Sequence, residues 1–183
     1  FGRTGSFFAC EQAGIWPDML CLSKGITAGY LPLSLVMTTD MIYSAFYDTD
    51  IARGFLHSHS YTGNPLACRA ALASLELFRL HDVINQNRII SGKINLALES
   101  LKQHSCVRHF RNRGMIWAFD AVMTPEKQAT FPRRFFETAL KHELLMRPIG
   151  NTVYLMPPYI LNDTDIEQLT EKTITVFNEV IQA

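Results

Sequence analysis

Met19-Leu-Cys-Leu-Ser-Lys24-Gly25-Ile-Thr-Ala-Gly29 is the stretch on which the reading of the fold turns. An apolar run stops at a lysine and opens into a segment carrying Gly25 and Gly29. A second apolar run, Leu31 to Thr39, follows after Pro32. Short apolar runs bounded by glycine and proline predict buried strands of a parallel sheet. On this pattern the first sixty or so residues read as strand and loop.

From Asn64 the periodicity changes. Asn64 suits an N-cap and Pro65 the first helical position. Leu66, Ala70, Leu72, Leu75, Leu77 and Phe78 then predict a helix to about Leu80. A second helix is predicted from Asp82, with Val83, Ile90, Ile94, Leu98 and Leu101 at helical spacing. Val107–Phe110 and Met115–Val122 read as strands around Gly114, and Phe131–Glu143 as a helix. Leu144–Pro148 and Thr152–Met156 read as a strand pair turning at Gly150-Asn151. The last helix is predicted from Thr164, which has capping-box spacing to Glu167. The chain is therefore expected to be α/β, with a strand-rich first part and a compact α+β second part joined within Leu80–Leu101.

The 183 residues are 48% hydrophobic, with 17 basic and 17 acidic side chains. That balance argues against nucleic acid or an anionic membrane surface as the main partner, because both call for a basic excess. No apolar run approaches the roughly 20 residues that span a bilayer, so no membrane partner is expected. Cys10, Cys21, Cys68 and Cys106 form no Cys-x-x-Cys pair. This fits neither a zinc ribbon nor a dense disulfide framework, and predicts buried thiols in a reducing cytoplasm. The chain opens Phe1-Gly-Arg-Thr-Gly5 with no methionine and no signal-peptide pattern, within what reads as a structured turn. The expectation is a fragment of a longer protein.

Three stretches could carry chemistry. Lys24, where a buried strand would meet a glycine-rich loop, would be held and partly desolvated. Desolvation favours the neutral amine, a Schiff-base nucleophile, whereas an ordinary solvated lysine would look the same locally. His57-Ser-His-Ser60-Tyr61-Thr-Gly-Asn-Pro65 places hydroxyls before a helix N-terminus, which suits a phosphate or simply caps the helix. His57 and His59 alone do not make a zinc site, and no metal is expected. Arg147-Pro-Ile-Gly150 could present a guanidinium fork to a carboxylate or form a surface ion pair.

Phe1-Gly-Arg-Thr-Gly5, Cys21-Leu-Ser-Lys24-Gly25, Tyr30-Leu-Pro-Leu-Ser34 and Ser60-Tyr-Thr-Gly-Asn-Pro-Leu-Ala-Cys68 occur in the order and at the separations of the class III, pyridoxal-phosphate-dependent aminotransferases. The chain resembles that family over essentially its whole length. The resemblance implies the C-terminal portion of a PLP-dependent transferase of fold type I. Residues 1–90 would be the end of the large parallel-sheet, cofactor-binding domain with its connecting helix, and residues 91–183 the small α+β domain.

By the same resemblance Lys24 would be the catalytic residue. It would hold pyridoxal 5'-phosphate through its ε-amine and, once released, move a proton at the substrate carbon. Ser60 stands where family members carry a threonine or serine that contacts the cofactor phosphate across a homodimer interface, so the active sites would be shared. Tyr61 beside it would also bind the cofactor, while Gly25 would lie on the substrate side. Gly2, Arg3 and Gly5 would form the turn beyond a strand that bears an aspartate paired with the pyridine nitrogen; that aspartate would lie upstream of Phe1, and the fragment alone is expected to be inactive. Arg147-Pro-Ile-Gly150 with Tyr154-Leu-Met-Pro-Pro-Tyr-Ile160 resembles a biotin-biosynthetic subgroup of the class. In that subgroup the arginine would hold the carboxylate of 8-amino-7-oxononanoate, and S-adenosylmethionine would give the amino group. Another class III ω-aminotransferase, or a non-catalytic dimerisation module that keeps the small domain, are the alternative expectations.

Overall fold

The structure, a computed structural model, describes residues 1–182. It divides into two compact units, Phe1 with Phe8–Val83, and Gly2–Phe7 with the chain from Ile84 onward.

The first unit contains α1 (Ala9–Ala13), β1 (Met19–Leu22), β2 (Leu35–Thr38), α2 (Asp40–Ser44) and α3 (Pro65–Leu80). The two strands pair antiparallel, Met19 opposite Thr38 and Leu22 opposite Leu35. This corrects the expected parallel arrangement. The connection between them holds only a one-turn 3-10 helix, Lys24–Thr27, not the crossover helix on which parallel strands usually rely. The strands are also less buried than their composition suggests, since β1 alternates exposed and half-buried residues and β2 is mostly exposed. α1 and α2, absent from the strand-and-loop reading, are each only five residues long, too short for an apolar periodicity to register.

α3 forms where its start signals place it. Asn64 Oδ1 accepts from the amides of Leu66 at 3.0 Å and Ala67 at 3.1 Å, and Pro65 opens the helix. The face it buries is made of small residues, Ala67, Ala71 and Ser74, whereas Leu66, Leu72, Leu77 and Leu80 stay exposed. Trp16, Tyr30, Leu56 and Tyr61 are exposed as well, which leaves this unit with an extensive apolar surface.

The second unit is better packed. It contains α4 (Val83–Ala97), α5 (Glu99–Lys102), β3 (Val107–Arg113), β4 (Ile116–Ala121), α6 (Pro125–Gln128), α7 (Phe131–Lys141), β5 (Thr152–Leu155) and α8 (Asp163–Gln182). The sheet order is β3-β4-β5, antiparallel throughout. Alternation along β4 and β5 sends Trp117, Phe119, Ala121, Val153 and Leu155 inward. α7 and α8 pack together, and the α8 residue Phe177 meets Phe119 edge to face at 5.3 Å. The indole N–H of Trp117 donates to Asn95 Oδ1 at 2.7 Å, so its burial leaves no orphaned donor.

Several expectations change here. The helix predicted to continue through Leu101 breaks at Leu98 into α4 and α5. Leu144–Pro148 is not a strand: Thr152–Leu155 pairs instead with Trp117–Asp120, and only Ile149 bridges Thr152. Pro148 has no amide to give to a ladder. The cap of α8 lies earlier than Thr164. Asn162 Oδ1 accepts from the amide of Asp165 at 2.9 Å, and Asp165 Oδ2 accepts from the amide of Asn162 at 3.0 Å, a reciprocal cap one turn ahead of the predicted one. The four cysteines are free, as the spacing implies, but none is buried: Cys21 and Cys68 are exposed, Cys10 and Cys106 half-buried.

β3 forms one edge of its sheet. A bulge between Arg108 and Arg111 places His109 at φ +50°. One guanidinium nitrogen of Arg108 donates to the carbonyls of Ser105 at 3.0 Å and Val107 at 2.8 Å, and Arg111 donates to that of His109 at 2.8 Å. Among the described residues no helix is long and apolar enough to cross a membrane.

Candidate active site

Lys24 begins the 3-10 turn that leaves β1, with its backbone in the left-handed region at φ +52°. A non-glycine residue rarely adopts that conformation, and such strain persists where the surroundings over-determine it. The surroundings are visible: Ile26 and Thr27, both buried, anchor the turn against α3. Thr27 Oγ1 also donates to the carbonyl of Leu31 at 2.6 Å. A Cβ on Gly25 would come within 3.3 Å of the Phe1 ring. The turn is held from below while the lysine side chain stays exposed. The expected partial desolvation is therefore not supplied by these residues, because β1 is a partly exposed strand and not a buried one. No ion pair among the described residues involves Lys24.

Lys24 lines a cleft of about 970 Å³ with Gly29, Ser34, His59, Tyr61, Thr62 and Asn64. The loop on its far side is held by its own polar groups. The amide of His59 donates to Thr62 Oγ1 at 3.1 Å, the amide of Tyr61 to His59 Nδ1 at 3.1 Å, and the amide of Thr62 to the His59 carbonyl at 3.0 Å. The bond to Nδ1 makes that nitrogen an acceptor and places the neutral ring's proton on Nε2. Gly63, at φ +72°, turns the chain into the Asn64 cap. Among the described residues no three metal-ligating side chains cluster.

Of the residues singled out in the sequence, Lys24 and Tyr61 line this one cleft. Gly25 adjoins Lys24. Ser60 is exposed on the same loop but is not among the cleft-lining residues. Ser34 and Thr62 also line the cleft. No separate role was assigned to them, although both lie within the Tyr30–Ser34 and Ser60–Cys68 motifs.

Arg147 belongs to the second unit. From Leu144 to Ile149 burial alternates: Leu144 and Pro148 are half-buried and Met146 is buried, whereas Leu145, Arg147 and Ile149 are exposed. The guanidinium is thus flanked by two aliphatic side chains on one exposed side of an extended segment. The mutual hydrogen bonds of Ile149 and Thr152, at 2.9 and 3.0 Å, tie that segment to β5. Among the described residues no carboxylate pairs with Arg147.

Comparison with known proteins gives this arrangement its class. The family model of the class-III aminotransferases matches residues 1–177, and the chain belongs to that family. It is 43% identical over 185 residues to adenosylmethionine-8-amino-7-oxononanoate aminotransferase of Helicobacter pylori, covering 98% of this chain and 42% of that protein. It is 41% identical over 184 residues to the protein of the same name from Synechococcus elongatus, again covering 98% and 42%. The crystal structure of adenosylmethionine-8-amino-7-oxononanoate aminotransferase from Methanocaldococcus jannaschii matches with a TM-score of 0.86 at 35% identity, over 98% of this chain and 43% of that one. An amine transaminase from an uncultivated Pseudomonas species, in its PLP-bound form, matches with a TM-score of 0.85 at 29% identity, over 98% and 42%. The fold is that of the PLP-dependent transaminases, and the chain spans less than half the length of these relatives.

Proposed function

We propose that the full-length protein transfers an amino group from S-adenosylmethionine to 8-amino-7-oxononanoate, giving 7,8-diaminononanoate for biotin biosynthesis, with pyridoxal 5'-phosphate as cofactor. In this reading residues 1–90 close the large cofactor domain and residues 91–183 form the small domain. The protein works as a cytoplasmic homodimer with shared sites. The observation that carries the substrate is Arg147 exposed between Leu145 and Ile149. A planar cation beside aliphatic surface suits a carboxylate at the end of an apolar chain better than a short, wholly polar acid. The names of the relatives support the same choice.

The donor set of the first unit fits the cofactor. Lys24 offers a primary amine to an aldehyde, and the hydroxyl-rich loop His57–Asn64 suits a phosphate. When bound, the cofactor supplies an electron sink that makes the hydrogen on the amine-bearing carbon removable. Lys24 Nζ holds the cofactor between turnovers and then carries the proton to and from that carbon as general base and acid. The anchored turn under Lys24 keeps Nζ in register for both tasks. Ser60 Oγ donates to the phosphate in the neighbouring subunit's site, with Tyr61 beside it, and Gly25 leaves space next to Lys24 for the substrate. Arg147 clamps the acceptor's carboxylate. The exposed apolar side chains of the first unit support burial against a second copy.

The test is the half-reaction of the full-length protein. S-adenosylmethionine is expected to convert the yellow form, and borohydride to fix the cofactor on Lys24. Preference for alanine, ornithine or 4-aminobutyrate would point to another ω-aminotransferase. Stable self-association without colour would indicate a dimerisation module. The 183-residue chain assayed alone is expected to be inactive.

A further inference from the structure

The segment Gly2–Phe7 is built into the second unit, and its contacts converge on one side chain. The β3–β4 turn receives it: the amide of Met115 donates to the carbonyl of Arg3 at 2.9 Å. Gly114, at φ +58°, lies so close that a Cβ there would fall 2.4 Å from the carbonyl carbon of Thr4 and 2.7 Å from the carbonyl oxygen of Arg3. Ser91 Oγ and Asn112 Nδ2 both donate to the Gly114 carbonyl, at 2.8 and 2.9 Å, fixing the turn from its other side. The backbone of Arg3 is thus held where it can hardly shift.

From that fixed point the guanidinium reaches the strand that follows Arg147. It donates to the carbonyl of Pro157 at 2.6 Å and lies 4.5 Å from the centre of the Tyr159 ring. Pro157 and Pro158 have no amide hydrogens, so a backbone ladder cannot secure this stretch from its donor side. The segment from Arg147 to Tyr159 is therefore tied at two places: the Ile149–Thr152 bridge near Arg147, and the Arg3 clamp beyond β5.

We propose that Arg3 is a positioning residue for Arg147: by clamping Pro157 and Tyr159 it fixes β5, and through β5 the arm that presents Arg147 to the carboxylate of the acceptor. This rests on the reading of Arg147 as the carboxylate-binding group. Arg3 itself touches neither substrate nor cofactor in this scheme. Its effect is confined to how well a carboxylate is held, and leaves the proton transfers of Lys24 alone.

The test uses the full-length, cofactor-loaded protein with Arg3→Met, Arg3→Lys, Arg147→Gln and the double variant Arg3→Met/Arg147→Gln. The probes are 8-amino-7-oxononanoate and its methyl ester. Arg3→Met is expected to raise KM and the dissociation constant for the acid on the order of tenfold, the size expected of a charged hydrogen bond and its coupled partner. kcat, and binding of the ester, are expected to stay within about twofold on the same reasoning. Arg3→Lys, which restores one charged donor, is expected to recover part of the loss. In the Arg147→Gln background, Arg3→Met is expected to add little, since groups acting through one another are not additive. Equal losses for acid and ester, full additivity, or a loss in kcat alone would overturn the proposal and leave Arg3 a merely structural residue. If Arg3→Met does not fold, Tyr159→Leu, which removes only the ring under the guanidinium, takes the same acid-against-ester comparison. An Arg147→Gln protein that binds the acid normally would remove the Arg147 reading itself. A strong Arg147→Gln effect with a silent Arg3→Met would remove only the clamp.

Discussion

Thr152 Oγ1 donates to Asp120 Oδ1 over 2.8 Å, at a position where the two residues face each other across β4 and β5. The same carboxylate accepts from His109 Nδ1 at 2.9 Å and has the Arg111 guanidinium at 3.4 Å. Burial pushes the Asp120 carboxyl up, but the hydrogen bonds from Thr152 and His109 and the charge of Arg111 outweigh it and hold the carboxyl below its ordinary range. A carboxyl depressed on folding contributes stability that is complete above its unfolded pKa, about 4, and is lost as pH falls through the lower folded value. Asp120→Asn is therefore expected to lower stability at neutral pH and to flatten its decline in acid. Urea midpoints at neutral pH and across the acid range check this, and an unchanged acid slope would count against it.

Lys24→Ala is expected to abolish borohydride-stable attachment of the cofactor while leaving the fold intact. The side chain is exposed and makes no ion pair among the described residues. Its removal also replaces a left-handed lysine by alanine, which shares the same strain. Mass spectrometry of the reduced protein and its melting temperature provide the two readouts. A large drop in melting temperature would contradict the surface placement of the side chain.

Gly114→Ala is expected to destabilise the second unit by about 1–3 kcal/mol or more, the range for overpacking a rigid site. The new methyl would meet backbone, not a flexible side-chain end, at 2.3 Å from the Gly5 nitrogen. Gly150→Ala makes the control, since it shares φ +58° but has nothing within 4 Å of its Cβ. Denaturant unfolding of the two variants should separate steric cost from conformational cost, with Gly114→Ala much the worse.

Asn64→Ala is expected to cost about 1 kcal/mol, the usual penalty for losing an N-cap. Two amides, those of Leu66 and Ala67, lose their acceptor. Hydrogen exchange at these amides is the direct measure, and it should rise in the variant with little change near Leu80.

The parts of this fold that were legible in the sequence are those with local causes. Asn64 and Pro65 mark the start of α3 because a cap and a fixed φ act within one turn, and the inward alternation of β4 shows in Trp117, Phe119 and Ala121. Strand direction had no such mark. The run Met19–Ser23 reads as buried from its composition, yet it pairs antiparallel and stays partly exposed. The Leu144–Pro148 run alternates in burial like a strand without making a ladder. Lys24 is recognisable from its neighbours in sequence, but a lysine's solvation depends on what packs around it in space, which no run of residues specifies. The contact of Arg3 with Pro157 joins residues 154 positions apart, and the motif around Arg3 carries no sign of it.

The arginines along β3 have one further effect. With the carbonyls of Ser105, Val107 and His109 already engaged by guanidinium groups, and a bulge breaking the regular spacing, a stray polypeptide would find few free acceptors at that margin on which to stack. The small sheet carries its own guard against fibril-like growth, and does so with side chains that charge repulsion would also set against a copy of themselves.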